Sequence, residues 1–347
     1  MYSIPMLKVY CEFLPGVSHI PLLYPNLGRT IRSKHLFLDS AYDELKTPFV
    51  EIVEKIDNAD YVLVPHNFTF LRNKKKYLDE VFNIAEIHKK KVIIFWHGDS
   101  TNHIDRKNMI LFRTSQYGYK KRNNEFIMPP YAPDLLHEKF EARSKSGEKP
   151  VIGFCGWADY KGFKNRLSTA VKNAGVSIRS ITDSKFAVQR KGISIRMDAI
   201  KRLNKSDLVS PNFIIRSSFS GHIKTISMDP EVAREEYTEN IKNSDLSLVI
   251  KGDGNFSLRF YEVLSLGRIP LLVDTDCMLP FEDEIDYSSF ILRVPYKNLH
   301  RLDILAAKFW EGCSDEKFIQ MQQKAREMHE KYLSVPASMR HITEKLL

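Results

Sequence analysis

The sequence has few cysteines, and its metal-ligating residues show no paired spacing. Its 347 residues include four cysteines, far apart in the chain and without CxxC spacing, and its eleven histidines form no HExxH motif. Zinc sites, thiol redox centres and disulfide scaffolds are recognised by such spacings. We therefore expect reduced, mostly buried thiols and no metal site.

Long apolar runs are also lacking. No segment approaches the ~20 apolar residues of a membrane-spanning helix. The N-terminal stretch MYSIPMLKVYCEFLPG has one lysine and no small-residue cleavage site after a long apolar core, unlike a signal peptide. A soluble, cytoplasmic protein is expected. At 347 residues the chain is long enough for two ordinary domains.

The net charge of the chain indicates which classes of partner it can bind. The net charge is +9, from 52 basic and 43 acidic side chains. This favours anionic partners such as a nucleotide diphosphate, and it allows peripheral contact with a membrane surface. Nucleic-acid modules interleave aromatic and basic residues on one face. The sequence has no such arrangement, so we expect no nucleic-acid partner.

Short apolar runs alternate with helical patterns along the whole chain, which predicts an α/β protein. The strands predicted in the first half are Leu7–Phe13, Tyr61–Pro65, Lys91–Trp96 and Phe126–Pro130. The helices predicted between them are Tyr42–Ile56 and Tyr77–His88. A polar segment without periodicity, Glu141–Pro150, is typical of a linker. The second half repeats the alternation, with strands at Val151–Trp157, Asn212–Ser218, Leu246–Ile250, 269–273 and Phe290–Val294 and helices at Lys164–Ala174, Pro230–Asn243, 258–266, Leu299–Glu311 and Glu316–Tyr332.

Two consecutive series of this kind predict two Rossmann-like, doubly wound domains with parallel sheets, facing a cleft. We expect an N-terminal domain at 1–145, a second domain at 150–315 and a C-terminal helical segment at 316–347. Ligands of such sheets bind at the carboxyl ends of the strands, so the cleft is the expected site.

A glycine-containing loop, KGDGNF, joins a predicted strand to a helix that starts near Ser257. Its backbone N–H groups, the helix start and the charges of Lys251 and Arg259 make a candidate phosphate site. Gly252 and Gly254 lack the third glycine of a dinucleotide fingerprint, and no GK[ST] follows. A tight turn explains a Gly-x-Gly at least as often as a phosphate site does.

Arg259 and Glu262 are three residues apart and share one helix face. A surface ion pair, worth only ~0–1 kcal/mol, is the ordinary explanation of that spacing. In the functional alternative Arg259 holds a diphosphate and Glu262 accepts hydrogen bonds from ribose hydroxyls. Gly267 is then expected to end the helix as a left-handed cap.

The segment Glu239–Phe290 resembles the signature of exostosin-like glycosyltransferases, family 47. That signature includes S-x-R-x-x-E-x-L-x-x-G-x-I-P, followed by L-P-F and by I-D-aromatic. The matching residues are Tyr237, Ser244, Gly252, Ser257, Arg259, Glu262, Leu264, Gly267, Ile269, Pro270, Leu279, Pro280, Phe281, Ile285, Asp286 and Tyr287. The resemblance is specific over about a quarter of the chain and patchy elsewhere.

The resemblance implies a GT-B fold, with the acceptor on the first domain and the nucleotide-sugar donor on the second, and inverting transfer without an obligatory metal. The donor is expected to be a UDP-sugar, with no separate cofactor. By resemblance the donor-binding positions are Arg259 and Glu262, with Arg166 as a second phosphate-binding arginine. The chain departs from the family at Lys251, Ser247 and Arg268, and it lacks the membrane anchor of animal and plant members, which leaves compartment and acceptor open.

Inverting transfer needs a base for the acceptor hydroxyl. Candidates at strand ends of the first domain are His66, His97 and Asp99. A structural role explains either histidine about as well, and Asp99 could instead cap a helix. Asp159 is a further candidate in the other domain.

The sequence thus predicts a glycosyltransferase acting on a glycan, glycolipid or glycoprotein acceptor. The alternative is a catalytically inactive partner subunit of the same fold that binds a sugar nucleotide or a glycan. Intact Arg259 and Glu262 favour the enzyme.

Overall fold

The computed structural model of the protein describes residues 6–29, 32–160 and 162–347. Within these residues the long strands form two sheets, and every strand pair in both sheets is parallel. The predicted fold class, two Rossmann-like parallel-sheet domains, is confirmed by this arrangement.

The first sheet lies in the first 127 residues, in the order β2-β1-β3-β4-β5-β6. Its strands are β1 Leu7–Cys11, β2 Val50–Ile52, β3 Tyr61–Leu63, β4 Val92–Trp96, β5 Met109–Arg113 and β6 Glu125–Ile127. Helices α1 (Tyr24–Leu27) and α2 (Lys75–Ile87) connect them. The buried residues of α2 recur every three or four positions (Tyr77, Leu78, Val81, Ala85), so one face packs on the sheet.

The second sheet has the order β11-β10-β9-β7-β8. Its strands are β7 Val151–Trp157, β8 Ser210–Arg216, β9 Leu246–Val249, β10 Ile269–Asp274 and β11 Leu292–Pro295. The helices of this half are α3 Phe163–Thr182, α4 Gly192–Asn204, α5 Pro230–Lys242, α6 Leu258–Ser265, α7 Leu302–Glu311, α8 Asp315–Met328 and α9 Val335–Leu346, with a π-helical turn at His329–Leu333 between the last two.

Both sheets are wound in the same order. In the first, β2 lies outside β1 and the chain continues with β3 on the opposite side. In the second, β8 lies outside β7 and the chain continues with β9 on the opposite side. The direction of winding therefore reverses between β1 and β3 and between β7 and β9. In doubly wound sheets, ligands bind at the carboxyl ends of the strands beside such switch points.

Helices cover both faces of the second sheet. Leu248 and Leu271 belong to a core cluster with residues of α4 and α7, whereas Val249 and Leu272 belong to a cluster with residues of α5 and α6. Successive strand residues point to opposite faces, so both faces of the central strands β9 and β10 are buried.

The C-terminal helix returns to the first sheet. Met339 and Ile342 of α9 share a core cluster with Leu7 and Val9 of β1. The Tyr61 hydroxyl donates to the Leu346 carbonyl at 3.2 Å. The last helix therefore ties the end of the chain to its beginning. The domain boundaries predicted at 145, 150 and 315 stay predictions, and the segment 141–150 has no helix or strand.

The helix predicted at Tyr42–Ile56 is wrong. A 3-10 turn occupies Leu38–Tyr42, and β2 follows at Val50–Ile52. Pro48 lies inside the predicted helix, where it removes a backbone donor and disfavours helical geometry in the preceding residue. In β2, Val50 is buried and Glu51 is exposed, which is the alternation of a strand.

Besides β2, four of the strands and helices in the described residues were not predicted from the sequence. They are α1, β5, α4 and α9, of which α4 and α9 have buried apolar residues three or four positions apart. In α9 these include Val335, Met339 and Ile342, after an N-cap at Ser334 whose Oγ accepts from the Ala337 N–H. None of the helices in the described residues is long and apolar enough to cross a membrane.

Candidate functional site

Loops at the carboxyl ends of the two sheets contact each other, and we call the interface between the two halves at these loops the cleft. The loop after β9 meets the loop after β5, where the Asn255 N–H donates to Ser115 Oγ at 2.8 Å. Asn255 Nδ2 donates to the Gln116 carbonyl at 3.0 Å. The Gly118 N–H donates to the Asp276 carbonyl, after β10, at 3.0 Å. Residues after strands of both sheets therefore form the cleft, as expected for doubly wound domains.

A second contact between the two halves lies further along the cleft. The Leu36 N–H donates to the Gly221 carbonyl at 3.0 Å, and the rings of His35 and His222 are 5.1 Å apart, edge to face. His35 also lies near Asp99, whose charge raises the pKa of His35, although burial and His222 lower it overall. Sequence analysis did not single out His35.

The glycine loop comes directly after β9, and α6 begins at Leu258 with Ser257 as its N-cap. The start predicted near Ser257 is confirmed, as is the left-handed conformation of Gly267, whose φ is 59°. At Gly254 a Cβ would lie 2.7 Å from the Asp99 Cα, so only glycine lets this loop touch the opposite domain. The loop and the start of α6 thus lie in the cleft.

Two arginines converge at the switch point between β7 and β9. Arg196 of α4 donates through Nη1 to the Trp157 carbonyl at 3.1 Å and through Nη2 to the Lys251 carbonyl at 2.9 Å. Arg259 of α6 donates through Nη2 to the Cys155 carbonyl. These carbonyls belong to the ends of β7 and β9, so the strands hold both guanidinium groups at the carboxyl edge of the sheet.

Neither guanidinium group forms an ion pair within the described residues. Arg259 instead packs on the rings of Phe154 and Tyr237, 4.5 and 4.7 Å from their centroids. Arg259 Nη1 and Arg196 Nε are buried without a hydrogen-bond partner among the described residues. Burial, and after it the charge of Arg259, lowers the pKa of Arg196 to about 10. Paired guanidinium groups with unused donors are well suited to an anion such as a diphosphate.

Glu262 pairs with residues other than Arg259. Its Oε1 accepts from Arg234 Nη1 at 3.1 Å, and its Oε2 accepts from the Tyr237 hydroxyl at 2.5 Å. The ordinary ion pair between Arg259 and Glu262 is therefore not the arrangement in the structure. Tyr237 links Glu262 to Arg259, because its hydroxyl donates to Glu262 and its ring packs against the Arg259 guanidinium group. Hydrogen bonding of Glu262 to a ribose stays a prediction.

Lys251 is almost completely buried, with 4% of its surface exposed. Its Nζ donates to the Tyr117 hydroxyl at 2.9 Å and to the Val188 carbonyl at 2.6 Å. Burial lowers the pKa of Lys251 to about 7. The ammonium therefore joins the second domain to the loop after β5, and its predicted contact with a donor stays untested.

The WHGDS segment follows β4 and lies against the glycine loop. The Gly98 N–H donates to Thr114 Oγ1 at 3.1 Å, and Ser115 Oγ donates to the Asp99 carbonyl at 3.3 Å. Partial desolvation and the nearby charge of Asp253 raise the pKa of Asp99. Its side chain keeps contact with solvent. An accessible carboxylate with a raised pKa, facing the other domain, is suited to take a proton from a bound hydroxyl.

The side chains of the two histidines proposed as bases, His97 and His66, are held by neighbouring protein groups. His97 stacks on Tyr131 at 4.4 Å, its Nε2 accepts from the Tyr131 N–H at 3.4 Å, and burial lowers its pKa to about 4. His66 Nε2 accepts from the Leu14 N–H at 2.8 Å, and its Nδ1 lies 3.1 Å from the Ser18 carbonyl. Both nitrogens of His66 are thus engaged by the backbone, which leaves Asp99 as the best-placed of the three candidates.

Arg166 and Asp159 are exposed to solvent. Arg166 is exposed on α3, a helix that packs chiefly against the 3-10 turn Ser184–Gln189. Asp159 is exposed after β7, and its Oδ1 accepts from the Tyr160 N–H at 2.8 Å. A donor-binding role of Arg166 stays a prediction.

Arg196 is the main site residue that sequence analysis missed. It lies on α4, where Ile195, Ala199 and Leu203 are buried at helical spacing. That periodicity would have identified the helix. It would not have shown that Arg196 reaches the end of β9, because this contact depends on the winding of the sheet.

Comparison with known proteins places the site in a family context. Residues 216–309 match the family model of the Exostosin GT47 domain. The Exostosin-1 homolog of Caenorhabditis elegans is 29% identical over 103 residues, which cover 30% of this chain and 26% of that protein. The match spans about a quarter of that relative's length. The predicted resemblance to exostosin-like glycosyltransferases is thereby confirmed over this segment, which carries Arg259, Glu262 and Lys251.

A glycosyltransferase from Rickettsia africae ESF-5 is similar along nearly its whole length. The alignment covers 99% of this chain and 98% of that chain, at 10% identity and a TM-score of 0.37.

Proposed function

We propose that the protein is an inverting glycosyltransferase that uses a UDP-sugar and needs no metal ion. Its acceptor would be a hydroxyl of a glycan, glycolipid or glycoprotein. The main support is the Arg196–Arg259 pair, because two guanidinium groups with unused donors lie at the switch point where doubly wound sheets bind ligands.

The donor diphosphate would lie between the arginine pair and the first amides of α6. A leaving diphosphate gains negative charge as the bond to the sugar breaks, and fixed cations and helix amides stabilise that charge. Both cations lie in the second domain. The match of 216–309 to the Exostosin GT47 domain supports the same assignment, because it includes Arg259 and the glycine loop.

Asp99 would act from the first domain as the base. The acceptor oxygen attacks the anomeric carbon, the bond from that carbon to the diphosphate oxygen breaks with its electron pair, and Asp99 takes the hydroxyl proton. A single displacement of this kind inverts the configuration. Gly254 brings Asp99 and the donor loop into contact, so donor and base face each other across the cleft.

Calorimetric titration with UDP tests the donor site. Arg259→Gln and Arg196→Gln each remove charged hydrogen bonds worth about 1.5–3 kcal/mol, so we expect roughly 10- to 100-fold weaker binding. Lys201→Gln, which removes an exposed cation from the same α4 helix, is the matched control and should bind UDP like the wild type. Unchanged affinity in folded Arg196 and Arg259 variants would rule out the proposed site.

A transfer assay separates the enzyme from an inactive binding subunit. Wild-type protein that binds UDP but neither hydrolyses nor transfers any of a panel of UDP-sugars would favour the binding subunit. Product with inverted anomeric configuration would support the single displacement.

A further inference from the structure

Helix α3 presents its apolar side to solvent. Leu167, Val171, Ile178 and Ile181 are 52%, 65%, 67% and 84% exposed. Together with Ala174 they recur at alternating steps of four and three residues. At ~3.6 residues per turn, these positions form one narrow stripe along the helix.

The opposite side of α3 attaches it to the rest of the molecule through polar contacts. Asn173 Nδ2 donates to Ser194 Oγ at 2.8 Å, and Asn173 Oδ1 accepts from the Lys191 N–H at 3.0 Å. A cavity of about 470 Å³ lies between α3 and a wall that includes Arg190 and Tyr296, and on the α3 side its lining reaches Ala174 of the stripe. Surface helices ordinarily bury their apolar side, whereas α3 leaves its apolar stripe exposed along with its cations.

The charge of α3 has one sign. Its twenty residues include Lys164, Arg166, Lys172 and Arg179 and no aspartate or glutamate. None of these four cations forms an ion pair within the described part of the chain. Lys164, Arg166 and Lys172 are exposed beside or behind the stripe, and Arg179 packs over the Phe186 ring at 4.3 Å.

We propose that α3 lies in the surface of an anionic lipid bilayer, with its apolar stripe among the acyl chains and its cations at the phosphates. A helix with a marked apolar face and a purely basic polar face is typical of interfacial binding. A second copy of the chain is a poorer occupant, because two such helices side by side would bring eight cations together without an acidic partner in either helix.

Flotation with lipid vesicles tests the proposal. We expect the wild type to bind vesicles of phosphatidylcholine mixed with phosphatidylglycerol, to bind pure phosphatidylcholine much less, and to be released by high salt. Ile178→Ser combined with Ile181→Ser should lower binding by at least about tenfold, because each isoleucine loses its apolar burial. Ile87→Ser is the matched control, because Ile87 is 66% exposed at the end of α2. It should bind like the wild type.

The charges are tested separately. Lys164→Gln combined with Lys172→Gln should weaken binding to the anionic vesicles about fivefold per charge. Lys75→Gln combined with Lys76→Gln removes two exposed cations from α2 and should change binding little. All substituted side chains are exposed, so melting temperatures should match the wild type.

Three results would overturn the proposal. One is a wild-type protein that does not bind either vesicle. Another is equal binding by the wild type and the Ile178/Ile181 variant. The third is a dimer in analytical ultracentrifugation that the same variant dissociates, which would show that a second copy covers the stripe.

Discussion

The buried ammonium of Lys251 should make the stability of the protein depend on pH. In the folded state Nζ donates to the Tyr117 hydroxyl and to the Val188 carbonyl. Among the described residues, no carboxylate accepts a hydrogen bond from it. Lys251→Met removes the charge and keeps a similar apolar stem. The wild type and this variant should therefore differ in stability by an amount that changes with pH.

The size and sign of the change follow from the pKa of Lys251. Burial lowers that pKa from 10.5 to about 7 in the folded state. Between these values the unfolded chain holds one proton more than the folded chain, so the free energy of unfolding rises with pH. Each proton of difference contributes about 1.36 kcal/mol per pH unit, and the folded ammonium is only half deprotonated at pH 7, so the rise is about 2 kcal/mol from pH 7 to pH 9. The variant lacks this contribution.

Urea unfolding followed by tryptophan fluorescence measures the effect at pH 7, 8 and 9. The unfolding free energy of the wild type, minus that of Lys251→Met, should rise by about 2 kcal/mol. Groups that do not interact with Lys251, such as Cys313, whose pKa burial raises, titrate in both proteins and cancel in the difference. Lys76→Met removes an exposed ammonium and should follow the wild type. A difference that is constant from pH 7 to pH 9 would refute the reasoning.

The remaining predictions concern the cleft. Asp99→Asn should lower turnover by ~10²–10⁴-fold with donor affinity nearly intact, because a base is lost from the domain opposite the donor. In the wild type the rate should rise with pH on the acidic side as Asp99, whose pKa is raised, loses its proton. This rise should be absent in the variant. Wild-type turnover in the variant would indicate another base. Glu262→Gln should weaken UDP binding but not pyrophosphate binding if the carboxylate holds the ribose. Equal losses would mean that it acts through Tyr237 and Arg259. Transfer should persist in excess chelator, and activity restored only by manganese or magnesium would contradict the proposed metal independence.

Local signals predicted much of the second domain. The strand VIGFCGW was predicted with its observed bounds, because an unbroken apolar run between a proline and a polar turn defines a buried strand. The prediction of helix α5 is correct to within one residue, and the structure shows local start signals there, because Asp229 caps the helix and Pro230 occupies its first position. These features depend on neighbours in sequence, which sequence analysis reads directly.

Tertiary arrangement decided what the sequence could not predict. The winding of the sheet brings Arg196 close to Arg259. The spacing of apolar residues within each helix does not predict that proximity. The Arg259–Glu262 spacing suggested an ion pair, but Arg234 and Tyr237 from α5 take both carboxylate oxygens. The position of His66 at a strand end suggested an available base. In the structure, backbone groups of Leu14 and Ser18 contact both of its ring nitrogens.

The cleft combines cations that folding alone does not favour. Arg196 and Lys251 lose hydration at the ends of β7 and β9, and this burial lowers the pKa of both. Beside them, Arg259 Nη1 is buried without a hydrogen-bond partner among the described residues. Buried charges without a counter-ion are destabilising, and a core built for stability alone would avoid them. Their concentration at a switch point is better explained by a ligand that supplies the missing negative charge. A diphosphate does so with several acceptor oxygens at once, which is why we favour a nucleotide sugar as the occupant of this cleft.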